Sequence, residues 1–173
     1  MGVHLKRTLF RIVLISAICL PFISHAQVAV QAAPDQKALL KASNPRLAAN
    51  KRLVYDFWRE VLEAGHMDLA PKYMTESYIQ HDPNVPTGRK GFVDYFVKYD
   101  FSEPKPIEPT VKAKLASIVA EGNLVVLSFV SECTDPKDKT AKCSTTWFEM
   151  FRIEHGKIAE HWDSAEKWPQ EEK

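Results

Sequence analysis

The chain has 173 residues, enough for one domain with a substantial hydrophobic core and too few for two domains of ordinary size. Its 23 Lys and Arg residues nearly balance 22 Asp and Glu residues, so the formal net charge is +1. This balance argues against a nucleic-acid-binding protein, whose surface would need an excess of basic residues.

The first 26 residues have the pattern of a secretory signal peptide. Lys6, Arg7 and Arg11 form a basic region, an apolar run follows over residues 12–23, and Ala26 is a small residue suited to a cleavage site. Cleavage there would remove three basic residues and no acidic one, leaving 20 against 22 and a net charge of −2. The apolar run is shorter than the roughly 20 residues that span a bilayer, and no later run is long enough. We therefore expect a periplasmic or secreted protein with no membrane partner after cleavage.

Residues 27–43 are predicted to be a flexible segment, because they are rich in Ala, Gln, Lys and Asp without a clear apolar face. Asn44 and Pro45 then favour a helix start, an N-cap residue followed by proline at the first helical position. Apolar residues recur at helical spacing from there, and Gly65 can end the helix. The domain is expected to cover residues 44–168, followed by a C-terminal tail at 169–173.

The middle of the chain is predicted to alternate short helices with an extended segment. A short helix is expected at 69–74, an extended segment at 78–83 that ends at proline, and a second amphipathic helix at 91–99.

From residue 111 onward the pattern changes to strands, expected at 111–120, 124–133, 143–154 and 157–163. Gly122-Asn123 and His155-Gly156 provide the tight turns of a meander. Helices followed by an antiparallel sheet indicate an α+β fold in which the sheet wraps the long helix.

The last hairpin brings ionisable and apolar residues together. If His155-Gly156 is a two-residue turn, residues equidistant from it face each other, giving the pairs Glu154–Lys157, Ile153–Ile158, Met150–His161 and Phe148–Asp163. His161 and Asp163 would then share one face with Phe148 and Met150. Because unpaired burial of such groups costs several kcal/mol, this face is either a functional site or a structural pair.

Cys133 and Cys143 flank a polar loop between two predicted strands, so they should lie opposite each other. We predict a disulfide, which the oxidising compartment implied by the signal peptide permits. Closing so short a loop should stabilise the fold by about 2–3 kcal/mol at most. Neither cysteine has a neighbouring ligand pattern that would indicate a metal site.

Both faces of the 143–154 strand carry large apolar residues. Phe148 and Met150 lie on one face, and Trp147 and Phe151 lie on the other. Only one face can pack on the helices, so a second copy of the chain is the simplest cover for the other. The sequence therefore predicts a homodimer.

Three stretches carry a resemblance to a known family. YIQHDP at 78–83, TGRKGF at 87–92 and FEMFRIEHGKIAEHWD at 148–163, with the order of helices and strands, resemble the SnoaL-like polyketide cyclase group of the nuclear transport factor 2-like superfamily. The resemblance runs from about residue 50 to residue 163. It implies a cone in which a curved antiparallel sheet wraps around the N-terminal helices. It also implies a lyase or isomerase of the aldol-cyclase type that uses neither metal nor organic cofactor.

The resemblance also implies a site for a small hydrophobic carbonyl compound. Asp163 would remove a proton from carbon, and His161 would hydrogen-bond the carbonyl or enolate oxygen. His81 is the third expected catalytic residue, an alternative donor to the enolate oxygen. Because adjacent strand residues point to opposite faces, we expect His81 to face the cavity and Asp82 to turn toward the following loop. The expected substrate-binding residues are Tyr78, Phe57, Phe148 and Met150.

Two alternatives to this enzyme remain open from the sequence. The same fold serves ligand-binding or structural modules without catalysis, and export is unusual for an enzyme of polyketide assembly. His81, His161 and Asp163 also form a two-His-one-carboxylate set that would suit iron or zinc.

Overall fold

The computed structural model describes residues 28–169. The expected signal peptide at 1–26 lies outside the described residues, as does all but the first residue of the expected tail. Within residues 28–169, no helix is both long enough and apolar enough to cross a membrane.

The long helix α2, Pro45–Phe57, begins where the sequence predicted. Asn44 Oδ1 accepts a hydrogen bond from the Arg46 amide at 2.9 Å, which satisfies one of the free N–H groups of the first turn. The helix continues as a π-helical turn, Trp58–Glu63. The chain then reverses at Gly65, where φ is +74° and a Cβ would lie 2.6 Å from the carbonyl oxygen of Glu103. Glycine is therefore required at this close approach.

Four short helical elements surround α2. They are α1, Gln36–Leu39; a 3₁₀ turn, Met67–Leu69; α3, Ala70–Tyr73; and α4, Arg89–Lys98. The helix predicted at 69–74 is thus divided into two short pieces, and the helix predicted at 91–99 starts two residues earlier.

Part of the segment predicted to be flexible is attached to the domain. The Gln36 side chain donates to the Val111 carbonyl oxygen at 2.9 Å and accepts from the Tyr55 hydroxyl at 2.7 Å. Leu40 is 4% exposed and belongs to the hydrophobic core. Leu40 therefore packs in a segment without a clear apolar face, because a single anchoring residue leaves no periodic pattern in the sequence.

Five strands form one curved sheet in the order β1-β5-β4-β3-β2. Their bounds are β1, Met74–Gln80; β2, Leu115–Glu121; β3, Leu124–Thr134; β4, Lys142–Glu154; and β5, Lys157–Trp162. The predicted meander of four antiparallel strands is confirmed, and β1 joins it in parallel beside β5. The α+β fold is confirmed, with the concave face of the sheet packed on the helices.

The predicted disulfide is also present. Cys133 of β3 and Cys143 of β4 are paired across the ladder, with their Cα atoms 4.9 Å apart and their sulfur atoms bonded. Only the Thr134–Lys142 pair separates the disulfide from the loop at 135–141, so the disulfide closes the base of that loop.

The hairpin between β4 and β5 follows the predicted register only next to its turn. His155 and Gly156 both have positive φ, as in a type I′ turn, and the Glu154–Lys157 and Ile153–Ile158 pairs are as expected. Ala159 is then an extra residue, because the next pair joins Arg152 to Glu160.

This bulge moves every later residue of β5 to the opposite face from the one expected. His161 lies opposite Phe151, and Met150 lies opposite Trp162. The predicted Met150–His161 and Phe148–Asp163 pairs are therefore wrong. Phe148 is 54% exposed on the convex face of the sheet.

Candidate functional site

A cavity of about 630 Å³ lies between the concave face of the sheet, α2 with its π-helical turn, α4 and the chain after β5. This volume is in the range of small-molecule sites, roughly 300–1,000 Å³. Aromatic side chains supply most of its wall: Phe57, Trp58, Tyr78, Phe92, Phe96, Trp147, Phe151 and Trp168.

His161 lies on the floor of the cavity near the end of β5 and is 7% exposed. Its neighbour across the ladder on β1 is Gln80, and its neighbour on β4 is Phe151, whose ring centre is 4.7 Å from that of the imidazole. The ring nitrogens lie 2.8 Å from Gln80 Oε1 and 2.6 Å from Glu149 Oε2. Strands on both sides therefore hold the imidazole in one orientation.

Glu149 is a candidate site residue that the sequence analysis did not identify. It lies on β4 two residues before Phe151, so it is a diagonal neighbour of His161 on the same face. It is 8% exposed, and its Oε1 accepts a hydrogen bond from Trp147 Nε1 at 2.6 Å. The available signal was a carboxylate sharing the face of Trp147 and Phe151, but the site was expected on the other face of the strand, with Phe148 and Met150.

The hydrogen bonds of Gln80 fix where the imidazole protons lie. The Asp82 amide nitrogen is 3.0 Å from Gln80 Oε1 and can only donate. The side-chain atom of Gln80 at this position must therefore be its oxygen and not its nitrogen. The same oxygen is 2.8 Å from His161 Nδ1, which must therefore donate as well. His161 Nε2 then either donates to the Glu149 carboxylate or accepts from its carboxylic acid. In either state, one proton lies between His161 and Glu149.

Asp163 follows β5 and lines the same cavity, half-buried. Its Oδ1 accepts a hydrogen bond from the Ala165 amide at 3.0 Å. A carboxylate oxygen of Asp163, a carboxylate oxygen of Glu149 and a ring nitrogen of His161 all lie within 4.8 Å of one another. A carboxylate therefore lies beside the proton of the His161–Glu149 pair.

Tyr78 is 1% exposed at the cavity wall, and its hydroxyl accepts a hydrogen bond from Gln80 Nε2 at 3.0 Å. Burial raises the pKa of Tyr78 well above its usual value, and the negative charges of Glu149, Asp163 and Asp82 raise it further. Tyr78 is therefore a neutral hydroxyl at any physiological pH.

The structure separates His81 from the other predicted site residues. His81 Nε2 is 2.8 Å from Glu160 Oε1, and its ring stacks on Trp162 with centres 5.0 Å apart. Asp82, and not His81, lines the cavity, so the expected orientation of these two neighbours is wrong. Gln80 faces the cavity beside His161, so alternation along the chain turns His81 to the convex face, where the bulge at Ala159 places Glu160 and Trp162.

The four predicted substrate-binding residues are divided in the same way. Phe57 and Tyr78 line the cavity, whereas Phe148 and Met150 lie on the other face of the sheet. His161 and Asp163 are brought together in the cavity, so two of the three predicted catalytic residues share it.

The metal set considered from the sequence is not assembled, because His81 is on the far side of the sheet from His161 and Asp163. Glu149 stands in its place, and Glu149, His161 and Asp163 offer three donor atoms close enough to hold one ion. Both nitrogens of His161 are already hydrogen-bonded to Gln80 and Glu149. A metal bound through Nε2 would have to replace the 2.6 Å hydrogen bond to Glu149, so the donor set favours proton sharing over metal binding.

Comparison with known proteins places this geometry in context. The chain matches the family model of the SnoaL-like polyketide cyclases over residues 52–172. A proposed polyketide cyclase from Acidithiobacillus ferrooxidans has 18% identity and a TM-score of 0.50, covering 72% of this chain and 89% of that one. None of the curated proteins compared with the sequence matches it.

Two further solved structures are similar at lower TM-scores. IdmH from Streptomyces antibioticus, also a proposed polyketide cyclase, has 19% identity and a TM-score of 0.46, covering 66% of this chain and 90% of that one. A LEH-like epoxide hydrolase from M. tuberculosis has 12% identity and a TM-score of 0.47, covering 69% and 84%. At these identities, structural likeness speaks to the fold and not to the reaction.

Proposed function

The chain belongs to the SnoaL-like polyketide cyclase family, and we propose that it is a cofactor-independent lyase or isomerase of the aldol-cyclase type acting on a small hydrophobic carbonyl compound. One observation carries this proposal. Asp163 lies within 4.8 Å of a buried His161–Glu149 pair that holds a proton, on the floor of a cavity with aromatic walls.

In the proposed reaction, the Asp163 carboxylate accepts a proton from the carbon next to a substrate carbonyl. The electrons of the broken C–H bond form the enolate, whose oxygen takes a hydrogen bond or the proton from the His161–Glu149 pair. The enolate carbon then attacks a second carbonyl of the same molecule. As the first carbonyl re-forms, any proton on its oxygen goes back to the His161–Glu149 pair, and the proton held by Asp163 goes to the new alkoxide. Atoms and charge balance without an external oxidant or reductant.

The separation of the groups suits this chemistry. The acid and the base lie within 4.8 Å of each other, close enough for one substrate to contact both through its carbonyl oxygen and the neighbouring carbon. Phe57 and Tyr78 would pack against the substrate, and Trp147 holds Glu149 in place through its 2.6 Å hydrogen bond.

The test follows deuterium incorporation from D₂O next to the carbonyl of small cyclic and aromatic ketones by NMR. Wild-type protein should catalyse the exchange, and Asp163→Asn should reduce the rate by about 10²–10⁴-fold, the usual contribution of a positioned acid or base. Glu121→Gln, an exposed carboxylate at the β2–β3 turn, is the matched control and should keep the wild-type rate. Equal rates in wild type and Asp163→Asn would show that Asp163 is not the base.

The alternative function is a small-ligand-binding module of the same fold, and the export predicted from residues 1–26 favours it. Such a module would bind ketones in the cavity without any exchange above the rate in buffer. Calorimetry with the same compounds, run beside the exchange assay, distinguishes the two functions.

We also propose that the protein is exported to the periplasm or secreted. The basic and apolar regions before Ala26 support this, and the Cys133–Cys143 disulfide is compatible with an oxidising compartment. N-terminal sequencing of the protein from its native host should begin at Gln27; a chain that keeps residues 1–26 would contradict export by cleavage.

A homodimer through the convex face of the sheet completes the proposal. Within residues 28–169, four large apolar residues of the strands are exposed there: Ile79 at 41%, Val119 at 56%, Leu124 at 37% and Phe148 at 54%. Light scattering should show a dimer that Phe148→Glu dissociates. Val97→Glu, at an equally exposed valine on α4, is the control and should remain dimeric. A monomeric wild-type protein would contradict this part of the proposal.

A further inference from the structure

The charges around the cavity are of one sign, apart from His161. Four carboxylates line it: Asp82, Glu149, Asp163 and Glu166. Among residues 28–169, no Lys or Arg side chain lines this cavity, and none of the four carboxylates forms a salt bridge with a Lys or Arg.

The hydrogen-bond partners of these carboxylates leave their charges in place. Asp82 Oδ1 accepts from the backbone and side-chain nitrogens of Asn84 at 2.7 and 2.9 Å, and Asp163 Oδ1 accepts from the Ala165 amide at 3.0 Å. These donors are neutral. Only Glu149 has a partner that can carry positive charge, His161, so the lining stays negative in either protonation state of that pair.

The carboxylates act on a common region of the cavity. Tyr78 is affected by three of them, because Glu149, Asp163 and Asp82 all add to the effect of burial in raising its pKa. Tyr78 is a residue of β1 that packs against Phe92 of α4 and lines the cavity. The negative potential therefore extends into the space where a ligand would lie.

The aromatic walls complement this charge. Trp58, Trp147 and Trp168 all line the cavity, and the face of an indole ring is the strongest aromatic partner for a cation. Rings and carboxylates together are the two features by which proteins recognise an organic ammonium group, whereas an anionic ligand would meet repulsion from each carboxylate.

We propose that the substrate or ligand of this cavity carries a hydrophobic ammonium group, a protonated or quaternary amine, beside its reactive carbonyl. This inference rests on the proposed function, whose site it shares. Asp82 and Glu166 hold the ammonium group near the mouth, which leaves Asp163 and the His161–Glu149 pair for the carbonyl end.

The test compares three probes of similar size by isothermal titration calorimetry. They are (1-naphthylmethyl)trimethylammonium, the neutral 1-naphthalenemethanol and the anionic 1-naphthaleneacetate. The cation should bind at least about tenfold more tightly than the alcohol, and the anion should bind most weakly. Equal or tighter binding of the alcohol would overturn the inference.

Variants locate the effect. Asp82→Asn and Glu166→Gln should each weaken binding of the cation severalfold and leave the affinity for the alcohol unchanged. Glu166 is exposed at the mouth, so its variant should fold even if the Asn84 turn depends on Asp82. Glu121→Gln, a carboxylate on the β2–β3 turn, should change neither affinity. Preference for the cation that survives both cavity variants would contradict the assignment to these carboxylates.

The outcomes separate this inference from the function on which it rests. If the alcohol binds as well as the cation while ketone deuterium exchange persists, the ammonium preference is wrong and the proton-transfer function stands. If none of the three probes binds and no ketone exchanges, the cavity does not admit ligands and both proposals fail.

Discussion

Two His–Glu pairs lie on opposite faces of the sheet and differ mainly in depth. His161 and Glu149 are 2.6 Å apart on the concave face, with side chains 9% and 10% exposed. His81 and Glu160 are 2.8 Å apart on the convex face, with side chains 44% and 16% exposed. The residue types and distances are nearly the same, so the main difference between the two pairs is how far water reaches their side chains.

The surroundings of the two pairs explain why only the His161–Glu149 pair is a candidate for proton transfer to a ligand. On the convex face, Glu160 also accepts from Arg152 at 2.6 Å, and solvent screens all three charges. On the concave face, the partners of His161 and Glu149 are neutral groups, Gln80 and Trp147. Water screens a buried pair only weakly, and neutral partners do not offset its charge. Its electrostatic effect on a ligand is therefore strong, and its proton is available for transfer.

The largest expected difference between the two pairs is in catalysis. His161→Gln should lower the rate of ketone deuterium exchange by about 10²–10⁴-fold, because the proton donor is lost. His81→Gln should keep the rate within about twofold, because its ring contacts Trp162 and not the cavity. NMR exchange rates of both variants provide the measurement. Similar losses in the two variants would show that the convex face takes part in the reaction.

A second difference should appear in stability. Glu149→Ala leaves the nitrogens of the buried His161 and the half-buried Trp147 without this acceptor and should reduce the free energy of unfolding by about 3–5 kcal/mol. Glu160→Ala removes a partly exposed pair and should reduce it by about 1 kcal/mol or less. Urea denaturation followed by tryptophan fluorescence measures both values. The idea that depth distinguishes the pairs would be abandoned if the two costs were equal.

The concave face should also control stability in alkali. Because the pKa of Tyr78 is raised in the fold, unfolded chains lose this proton at lower pH than folded ones, so stability falls as pH rises above about 10. The contribution of this residue should be about 1.4 kcal/mol per pH unit in that range. Tyr78→Phe should reduce the slope of unfolding free energy against pH by that amount; an unchanged slope would contradict the account.

The pair on the convex face should affect the stability of the protein at acid pH, and this is the smallest effect that we expect. The hydrogen bonds from His81, and then from Arg152, lower the pKa of Glu160 below its ordinary value. The stability it contributes is therefore present above about pH 4.5 and is lost as pH falls through the folded pKa. Because the group is partly exposed, we expect a loss of less than about 1 kcal/mol between pH 5 and pH 3 that Glu160→Gln lacks. If the variant lost the same stability between pH 5 and pH 3 as the wild type, this assignment would be contradicted.

Much of the fold was predictable because its signals are local. The cap at Asn44-Pro45, the positive-φ turn at His155-Gly156 and the facing cysteines each depend on a few adjacent residues, and the structure agrees with all three. The anchoring of Gln36 to Tyr55 and Val111 was not predictable, because it joins residues far apart in the sequence that have no shared periodicity.

The candidate site was only half predictable. His161 and Asp163 were identified from the hairpin pattern and from a resemblance, and they do line the cavity, whereas Phe148, Met150 and His81 were assigned to the wrong face. Strict alternation fails at one inserted residue, and nothing in the types of Ile158, Ala159 and Glu160 marks where a bulge occurs.

By itself, the sequence determined the order of elements, the α+β fold, the disulfide and the family, because helical periodicity, strand alternation and turn residues are encoded within short stretches. The tertiary structure decided which side chains share a cavity. A side chain's face depends on the pairing of its whole strand, so the single bulge at Ala159 places His161 beside Glu149 and leaves His81 with Glu160 on the convex face.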